Sequence, residues 1–440
     1  MHQELLKPSR YNILHKDKDG YDLIMNSLSG GIIRVDSRTK GAFLNIVKDD
    51  VIEYNGQNRF LYILKNNGFL IPESFNELEF LRDLHEKARN GEKALGIGIS
   101  PTLNCNFRCV YCFEDHAPIN KIDMPKEIQD SIVKYVEKRI SGKEVLYVDW
   151  FGGEPLLKIK LIKLLSQTLM KICNNNNCQY KARITTNGYY LTPNISRLLN
   201  RCLVQDVQVT FDGPKEIHDK RRILKSGKGT FEKILNNIMK SSHLFDNFWV
   251  RINIDKSNSL YVQQLFDILE PVKDTIALAF RSVNSPGNPG KFIDSGLSPI
   301  DYRTLEYELI ENARERGFKA IIGFAYLGTT FCAGYQRNAI MVDPHGDVHL
   351  CPACVGRREI RYGMLNTDGD IIGINGVQSE WSKFSPLDDH ECRECLALPL
   401  CMGGCLWYLQ VPKNDTHRCR MKYNICQKME RDCALNKLLL

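Results

Sequence analysis

A short β-rich run, a loop and a stretch with helical spacing recur six times between residues 94 and 282. The candidate strands are residues 94–100, 145–151, 182–186, 206–211, 248–254 and 275–282. Between them, Pro125 to Arg139 and Thr230 to Ser242 carry apolar residues at the spacing of an amphipathic helix. This alternation is typical of parallel βαβ units. The sequence therefore predicts an α/β core built on a parallel sheet.

The chain has 440 residues and a hydrophobic content of 43%, which is enough for two or three domains. It contains no apolar stretch of about 18 residues, and its first residues lack the apolar region of a secretory signal. We therefore expect a cytoplasmic protein with no membrane partner. The net charge of +7 is spread along the chain, so no nucleic-acid partner is expected. A modestly basic enzyme can still favour an acidic peptide.

Three cysteines follow the first candidate strand closely. Cys105, Cys109 and Cys112 have the spacing Cys-x3-Cys-x2-Cys, and no fourth cysteine follows within the next few residues. Three thiolates this close can hold three irons of a 4Fe-4S cluster and leave the fourth iron open. The alternatives are a zinc knuckle or three unrelated buried thiols, but zinc sites are usually closed by four ligands in paired units. The spacing therefore favours an iron–sulfur site.

The triad resembles that of the radical S-adenosylmethionine (SAM) enzymes. In that family the open iron chelates SAM, and an electron from the cluster cleaves it to a 5′-deoxyadenosyl radical. The resemblance implies a 4Fe-4S cluster and SAM as cofactors, and a low-potential electron donor, ferredoxin or flavodoxin, as a partner. It also implies an open, partial (β/α)6 barrel with the chemistry at the carboxyl ends of the strands.

Further family motifs fall at those strand ends. In Gly152-Gly153-Glu154 the glycines let the backbone approach a ligand, and the carboxylate is an acceptor for an ammonium group. By resemblance this motif holds the amino group of SAM. Thr210 and Asn253 would contact the ribose, and Arg222 would pair with the SAM carboxylate. Taken singly, each of these residues also suits a turn, a helix cap or a surface ion pair.

The cysteines from Cys332 onward, together with Gly346, resemble the SPASM domain, the auxiliary-cluster module of radical SAM enzymes that act on peptides. The resemblance implies two auxiliary 4Fe-4S clusters, the first ligated by Cys332, Cys351 and Cys405, and the second by Cys392, Cys395, Cys401 and one later cysteine. For that later cysteine, the distance from Cys405 favours Cys419. Cys426 is the alternative to Cys419. Cys354 could complete the first cluster, or that cluster could stay open to a substrate thiol. A pair of structural zinc sites is the competing interpretation.

The first ninety residues precede the barrel. The sequence predicts a hairpin around Ser29-Gly30, short helices at 38–48 and 58–67, and a connecting helix at 76–90. The pattern resembles the winged-helix-like modules that bind the leader of a precursor peptide as an added strand. A simple cap on the barrel is the alternative. The predicted domains are 1–93 for this module and its linker helix, 94–320 for the radical SAM core and 321–440 for the SPASM domain.

The resemblance as a whole is to radical SAM/SPASM peptide maturases of the thioether-forming sactipeptide or ranthipeptide type. It implies an oxidoreductase that binds a precursor peptide through its leader and installs an intramolecular crosslink, a cysteine thioether. One alternative is an anaerobic sulfatase-maturating enzyme, which makes formylglycine and typically has an acidic residue where this chain has Pro352. The other is a non-catalytic, metal-scaffolded peptide-binding protein. No catalytic acid or base is assigned.

Overall fold

The computed structural model describes residues 4–17, 20–112, 114, 122–283, 296–320, 332–374, 376–410, 425, 426 and 429. These residues fall into two compact units. The first unit contains those up to Ala88, Cys332 and those from Phe384 onward, and the second contains those of Arg89–Gly323 and Ala333–Lys383. No helix in the described ranges combines the length and apolar character that crossing a membrane requires.

The strands in these ranges are β1 Glu4–Pro8, β2 Asn12–Lys16, β3 Asp22–Asn26, β4 Ile32–Val35, β5 Ile52–Tyr54, β6 Leu70–Pro72, β7 Ala94–Ile99, β8 Phe107–Cys109, β9 Val145–Trp150, β10 Gln179–Thr186, β11 Val204–Thr210, β12 Arg222–Leu224, β13 Asn247–Ile254, β14 Ala277–Ser282, β15 Lys319–Ala320, β16 Ala339–Val342, β17 Asp347–His349, β18 Gly363–Leu365 and β19 Ile371–Ile372.

The α-helices are α1 Ser37–Ile46, α2 Arg59–Asn66, α3 Glu77–Asn90, α4 Lys126–Arg139, α5 Ile159–Asn175, α6 Pro193–Arg201, α7 Lys215–Arg221, α8 Phe231–Ser241, α9 Gln264–Leu269, α10 Pro299–Glu315, α11 Gly376–Lys383, α12 His390–Arg393 and α13 Leu398–Cys401.

The first unit contains two small antiparallel sheets, with strand orders β5-β1-β6 and β2-β3-β4. The predicted hairpin is confirmed as β3 and β4, and the predicted helices are confirmed as α1, α2 and α3. Local capping explains where two of the helices begin. Asp36 accepts a hydrogen bond from Thr39 N before α1, and Asn58 accepts from the first backbone N–H groups of α2. The apolar faces of these elements share a core around Phe43 and Phe69.

The six predicted strands of the second unit are confirmed as β7, β9, β10, β11, β13 and β14. They are neighbours in chain order and every pair is parallel. The two helices predicted between them are confirmed as α4 and α8. One face of the sheet is apolar and buried, as at Ile97, Val148 and Ile184, and it packs against the helices. The fold is therefore a mostly parallel α/β sheet, consistent with a partial barrel.

The same sheet continues beyond its first strand. Strand β16 pairs parallel to β7, and β17, β18 and β19 follow as an antiparallel extension. Glycines permit the close pairing, because a Cβ atom at Gly98 would lie 2.1 Å from Met341 Cε. These four strands lie within residues 321–440, so that part of the chain adds strands to the sheet of the second unit. The predicted domain boundaries stay predictions.

Candidate active site

The cysteine triad lies on the segment between β7 and α4, at the carboxyl end of the first parallel strand. Cys105, Cys109 and Cys112 are all partly buried. Burial raises the pKa of Cys105 to about 12, and the charges of Glu154, Cys109 and Cys112 act in the same direction. The three thiols are therefore within electrostatic reach of one another and of Glu154. Ligation by iron would have to stabilise the thiolate form that this environment disfavours.

Two hydrogen bonds hold Cys105 from neighbouring elements. Its sulfur accepts from Phe107 N at 3.4 Å and from Asn187 Nδ2 at 3.8 Å. Asn187 follows β10 and also donates to Asn106 Oδ1 at 2.8 Å. Asn187 was not predicted as a site residue; it lies in the sequence Thr186-Asn187-Gly188 at the end of β10. The third parallel strand therefore helps to position the first thiol.

The Gly152-Gly153 turn after β9 packs directly on the chain that leads into the triad. Gly153 N donates to Thr102 O at 3.1 Å, and Glu154 N donates to Asn104 O at 2.9 Å. A Cβ atom at Gly153 would lie 2.3 Å from Asn104 O, and Gly152 has a φ of +119°. Both positions therefore require glycine. The predicted SAM motif and the predicted cluster segment are thus in backbone contact.

The Glu154 carboxylate is fully buried and bound by three protein donors. Its Oε1 accepts from Leu156 N at 2.9 Å and from Thr186 Oγ1 at 2.7 Å, and its Oε2 accepts from Asn187 N at 2.7 Å. Burial raises the pKa of Glu154, while these donors oppose the rise. Because Oε2 accepts only one of these hydrogen bonds, it can accept another. Glu154 therefore joins β9 to β10, and its predicted contact with the SAM amino group stays a prediction.

Arg222 lies opposite the second cysteine of the triad. Strands β8 and β12 pair antiparallel and place Arg222 directly across from Cys109. Burial alone would lower the pKa of Arg222, but Cys109, Tyr111 and Asp212 are negative or electron-rich neighbours that raise it well above its usual range. The guanidinium is therefore permanently charged beside the triad. Its predicted pairing with the SAM carboxylate stays a prediction.

Tyr111, between the second and third cysteines, links the triad to two other strands. Its hydroxyl donates to Asp212 Oδ2 and accepts from Arg222 at 2.8 Å and from Asn253 Nδ2 at 3.2 Å. Asn253 N in turn donates to Asp212 Oδ1 at 2.9 Å. Burial raises the pKa of Tyr111, so the phenol is neutral at physiological pH. The sequence did not predict this network; the aromatic residue within the cysteine spacing was its one visible signal.

A second arginine, Arg221, contacts the same network. Arg221 donates to Asp255 Oδ1 at 2.7 Å and to Asn253 O at 3.1 Å, and its Nε lies 3.5 Å from Asp212 Oδ2. Thr210 is buried at the end of β11, in register with Arg251 of β13. Thr210 and Asn253 thus lie near the ends of the adjacent strands β11 and β13, and the Tyr111 hydroxyl joins Asn253 to Arg222.

These residues fit a 4Fe-4S cluster with SAM. Three neighbouring thiols, a glycine turn that admits close backbone contact and a buried cation converge at one end of the second unit. Across the described ranges, no three Cys, His, Asp or Glu side chains are grouped to hold a single metal ion. A cubane binds each cysteine to a different iron, so its ligands stand farther apart than those of one ion.

The predicted ligands of the first auxiliary cluster lie in both units. Cys351 and Cys354 are in the second unit, where a side-chain hydrogen bond to Cys354, together with burial, raises the pKa of Cys351 well above its usual value. Cys332 and Cys405 belong to the first unit, and Cys405 is exposed. The adjacency of Cys354 to Cys351 is compatible with either of the two roles left open for Cys354.

The predicted ligands of the second auxiliary cluster lie in the first unit, around α12 and α13. Cys395 and Cys401 are partly buried against one apolar cluster that includes Ala397, and Cys426 packs on the same cluster. The Asp389 carboxylate caps α12 and accepts from Cys392 N at 3.0 Å. Cys419 lies outside the described residues. Of the two candidates for the closing ligand, Cys426 is the one in the described part of the chain, and it packs on the same apolar cluster as Cys395 and Cys401.

Residues 99–256 match the sequence profile of the Radical SAM superfamily. The whole chain is 24% identical to the radical SAM cyclopropyl synthase TigE of Paramaledivibacter caminithermalis, covering 95% of that protein. It is 26% identical over 71% of its length to the cysteine-type anaerobic sulfatase-maturating enzyme of Clostridium novyi, covering 88% of that enzyme. The chain therefore contains a radical SAM domain, and the resemblance to radical SAM peptide maturases is confirmed.

Solved structures show the same fold at low sequence identity. Native anSMEcpe with bound AdoMet superposes with a TM-score of 0.59 at 21% identity, covering 78% of this chain and 98% of that one. Streptococcus suis SuiB bound to its precursor peptide SuiA has a TM-score of 0.53 at 14% identity, covering 93% of this chain and 97% of that one. The α/β architecture described above is therefore the radical SAM fold.

Proposed function

We propose that this chain is an oxidoreductase that forms an intramolecular crosslink, a cysteine thioether, in a ribosomally made precursor peptide. The observation that carries the proposal is the convergence of the cysteine triad, the glycine turn and Arg222 at the ends of the parallel strands. Two comparisons support the proposal: the chain matches a radical SAM cyclopropyl synthase along its whole length, and it shares the fold of SuiB, which was solved with a bound precursor peptide.

The chain's own residues would do three things in this reaction. Cys105, Cys109 and Cys112 would hold the cluster, which together with SAM would supply the 5′-deoxyadenosyl radical. The Gly152-Gly153-Glu154 motif would hold the amino group of SAM, and Arg222 would pair with its carboxylate. The buried positions around them exclude water, which would otherwise quench a radical.

Thioether formation removes two hydrogens from the peptide. One hydrogen atom passes from a carbon of the peptide to the deoxyadenosyl group, and the carbon radical then bonds to the cysteine sulfur. The thiol proton and one further electron leave the peptide; auxiliary clusters held by the predicted SPASM cysteines would supply an acceptor for that electron. We further propose that the module of residues 1–93 binds the leader and that a ferredoxin or flavodoxin supplies the initial electron.

The test is the mass of a cysteine-containing peptide encoded beside the gene, after anaerobic incubation with reconstituted protein, SAM and a reductant. The proposal predicts a loss of about two mass units that resists thiol reduction, and a cysteine that no longer reacts with iodoacetamide. A loss of two mass units with the cysteine still reactive would instead indicate carbon–carbon ring closure. An unchanged peptide would contradict the proposal.

Sulfatase maturation is the second candidate, because the chain also aligns with a cysteine-type sulfatase-maturating enzyme. That reaction replaces the cysteine thiol by an aldehyde, which a hydrazide reagent captures. Pro352 stands where such enzymes typically have an acidic residue. Incubation with a sulfatase-derived peptide therefore separates the two functions, and hydrazide capture of its product would establish the second candidate.

A further inference from the structure

Arg251 on β13 and Arg281 on β14 are diagonal neighbours on the face of the sheet away from the helices, and Arg281 pairs with Asn253, a predicted SAM contact. In the register of β13 and β14, Arg251 pairs with Ala279 and Asn253 pairs with Arg281. Because side chains alternate along a strand, Arg251, Asn253 and Arg281 project from the same face. The opposite face is apolar, and its Phe280 contacts Phe266 of α9. The two guanidinium groups are therefore on the side away from the helices.

Within the residues that the structure describes, neither guanidinium has a counter-ion. Arg251 Nε donates to Asn253 Oδ1 at 2.8 Å, and one terminal nitrogen of Arg281 donates to Phe280 O at 2.7 Å. Neither side chain forms an ion pair with any carboxylate in the described part of the chain, whereas Arg183 on the same sheet pairs with Asp149. Most of the donors of the two guanidiniums are thus left for another acceptor.

The carboxylate of Asp212 lies near Arg251 but already has other partners. Asp212 receives hydrogen bonds from Asn253 N and Tyr111 and lies against Arg221. Burial, and then the charge of Arg281, lower the pKa of Arg251. Two partly buried positive charges that lie close together without an anion raise the free energy of the site. A bound anion would lower that free energy. Both residues are only half-buried, so a ligand can reach them.

We propose that Arg251 and Arg281 form a binding site for a carboxylate of the peptide substrate, an Asp or Glu side chain close to the modified residue. The inference rests on the proposed peptide-modifying function and adds an acidic substrate to it. SAM also carries a carboxylate. Arg222, charged beside the triad, is already available for that group, so we assign the arginine pair to the peptide.

The site itself can be tested without the natural peptide. Crystals of the holoenzyme with SAM are soaked in sodium selenate, and selenium is located by anomalous scattering. We expect a selenium peak in contact with both guanidiniums, and none there in Arg281→Gln. A wild-type crystal without that peak, or an Arg281→Gln crystal that retains it, overturns the proposal.

The kinetic test uses the precursor peptide and variants in which each Asp or Glu is changed to its amide. Arg281→Gln should raise KM for the peptide by roughly tenfold or more, since a charged hydrogen bond is lost. One acidic-to-amide change in the peptide should have the same effect on the wild-type enzyme and no further effect on Arg281→Gln. Arg281→Lys should retain part of the affinity.

Two controls fix the interpretation. Arg183→Gln, which removes an arginine already paired and 66% exposed, should leave KM unchanged. SAM affinity of Arg281→Gln should equal that of the wild type; weaker SAM binding with an unchanged peptide KM would assign the pair to SAM and overturn the proposal. If the wild-type enzyme modifies no peptide, the proposed function is wrong. The selenate experiment still decides whether Arg251 and Arg281 bind an anion.

Discussion

The hydroxyl of Tyr111 accepts a hydrogen bond from the Arg222 guanidinium at 2.8 Å. Tyr111 lies within the cysteine triad and Arg222 lies opposite Cys109 on β12, so this contact ties the cluster segment to the cation proposed to hold SAM. The same hydroxyl reaches Asp212 and Asn253. One phenol thus links the triad to the ends of β11 and β13.

Replacing Tyr111 with Phe should weaken SAM binding by on the order of tenfold, because Arg222 and Asn253 lose a shared partner. The thiols themselves are untouched, so iron content should stay at the wild-type level. Equilibrium dialysis of labelled SAM and iron analysis measure the two effects. Tyr261→Phe, at a partly exposed tyrosine, is the matched control. Wild-type SAM affinity in Tyr111→Phe would show that the network plays no part in binding.

Gly153→Ala should reduce the iron content of the reconstituted protein. The added Cβ would meet the backbone oxygen of Asn104 at 2.3 Å, and Asn104 directly precedes Cys105, so the cluster segment must shift. Gly41→Ala, where a Cβ meets nothing within 4 Å, should have full iron content. Iron and sulfide analysis of both variants decides this, and equal loading would mean that the turn does not constrain the triad.

His218 should make the protein less stable in mild acid. Burial, and then Arg222 and Arg221, lower its pKa well below the usual 6.5. Below pH 6.5 the unfolded chain therefore binds a proton that the folded protein refuses, and stability falls as pH falls, by up to about 1.4 kcal/mol per pH unit.

Urea unfolding between pH 7 and pH 5 measures how the free energy of unfolding changes with pH. This is roughly the pH range in which an ordinary histidine titrates. His218→Gln should flatten the slope, whereas His243→Gln, at an exposed position, should not. Parallel slopes for the wild type and His218→Gln would refute the assignment.

Cys426 and Cys419 can be separated by iron content. The structure places Cys426 against the same apolar cluster as Cys395 and Cys401, which favours it as the closing ligand over the Cys419 predicted from spacing. Cys426→Ser should therefore lose iron, and Cys419→Ser should lose less. Mössbauer spectra of the two variants would show which cluster is affected, and the reverse order would restore the prediction from spacing.

The sequence predicted the parallel strands and the triad because both depend on local signals. Alternating apolar runs such as residues 248–254 define a strand, and the cysteine spacing defines a ligand set. The continuation of the sheet through β16 was not predicted, since pairing between residues 339 and 96 is non-local and leaves little trace in either segment. The sequence likewise could not show that Glu154 is bound by Thr186 and Asn187, because those contacts exist only once β9 and β10 are adjacent.

The most direct test of the account is the deuterium content of 5′-deoxyadenosine formed with a precursor peptide deuterated at its carbon positions. If the radical abstracts hydrogen from the peptide, the product nucleoside carries deuterium, and its amount matches the crosslinked peptide. Unlabelled 5′-deoxyadenosine beside an unchanged peptide would contradict the claim that this chain is a peptide-modifying radical enzyme acting on that substrate.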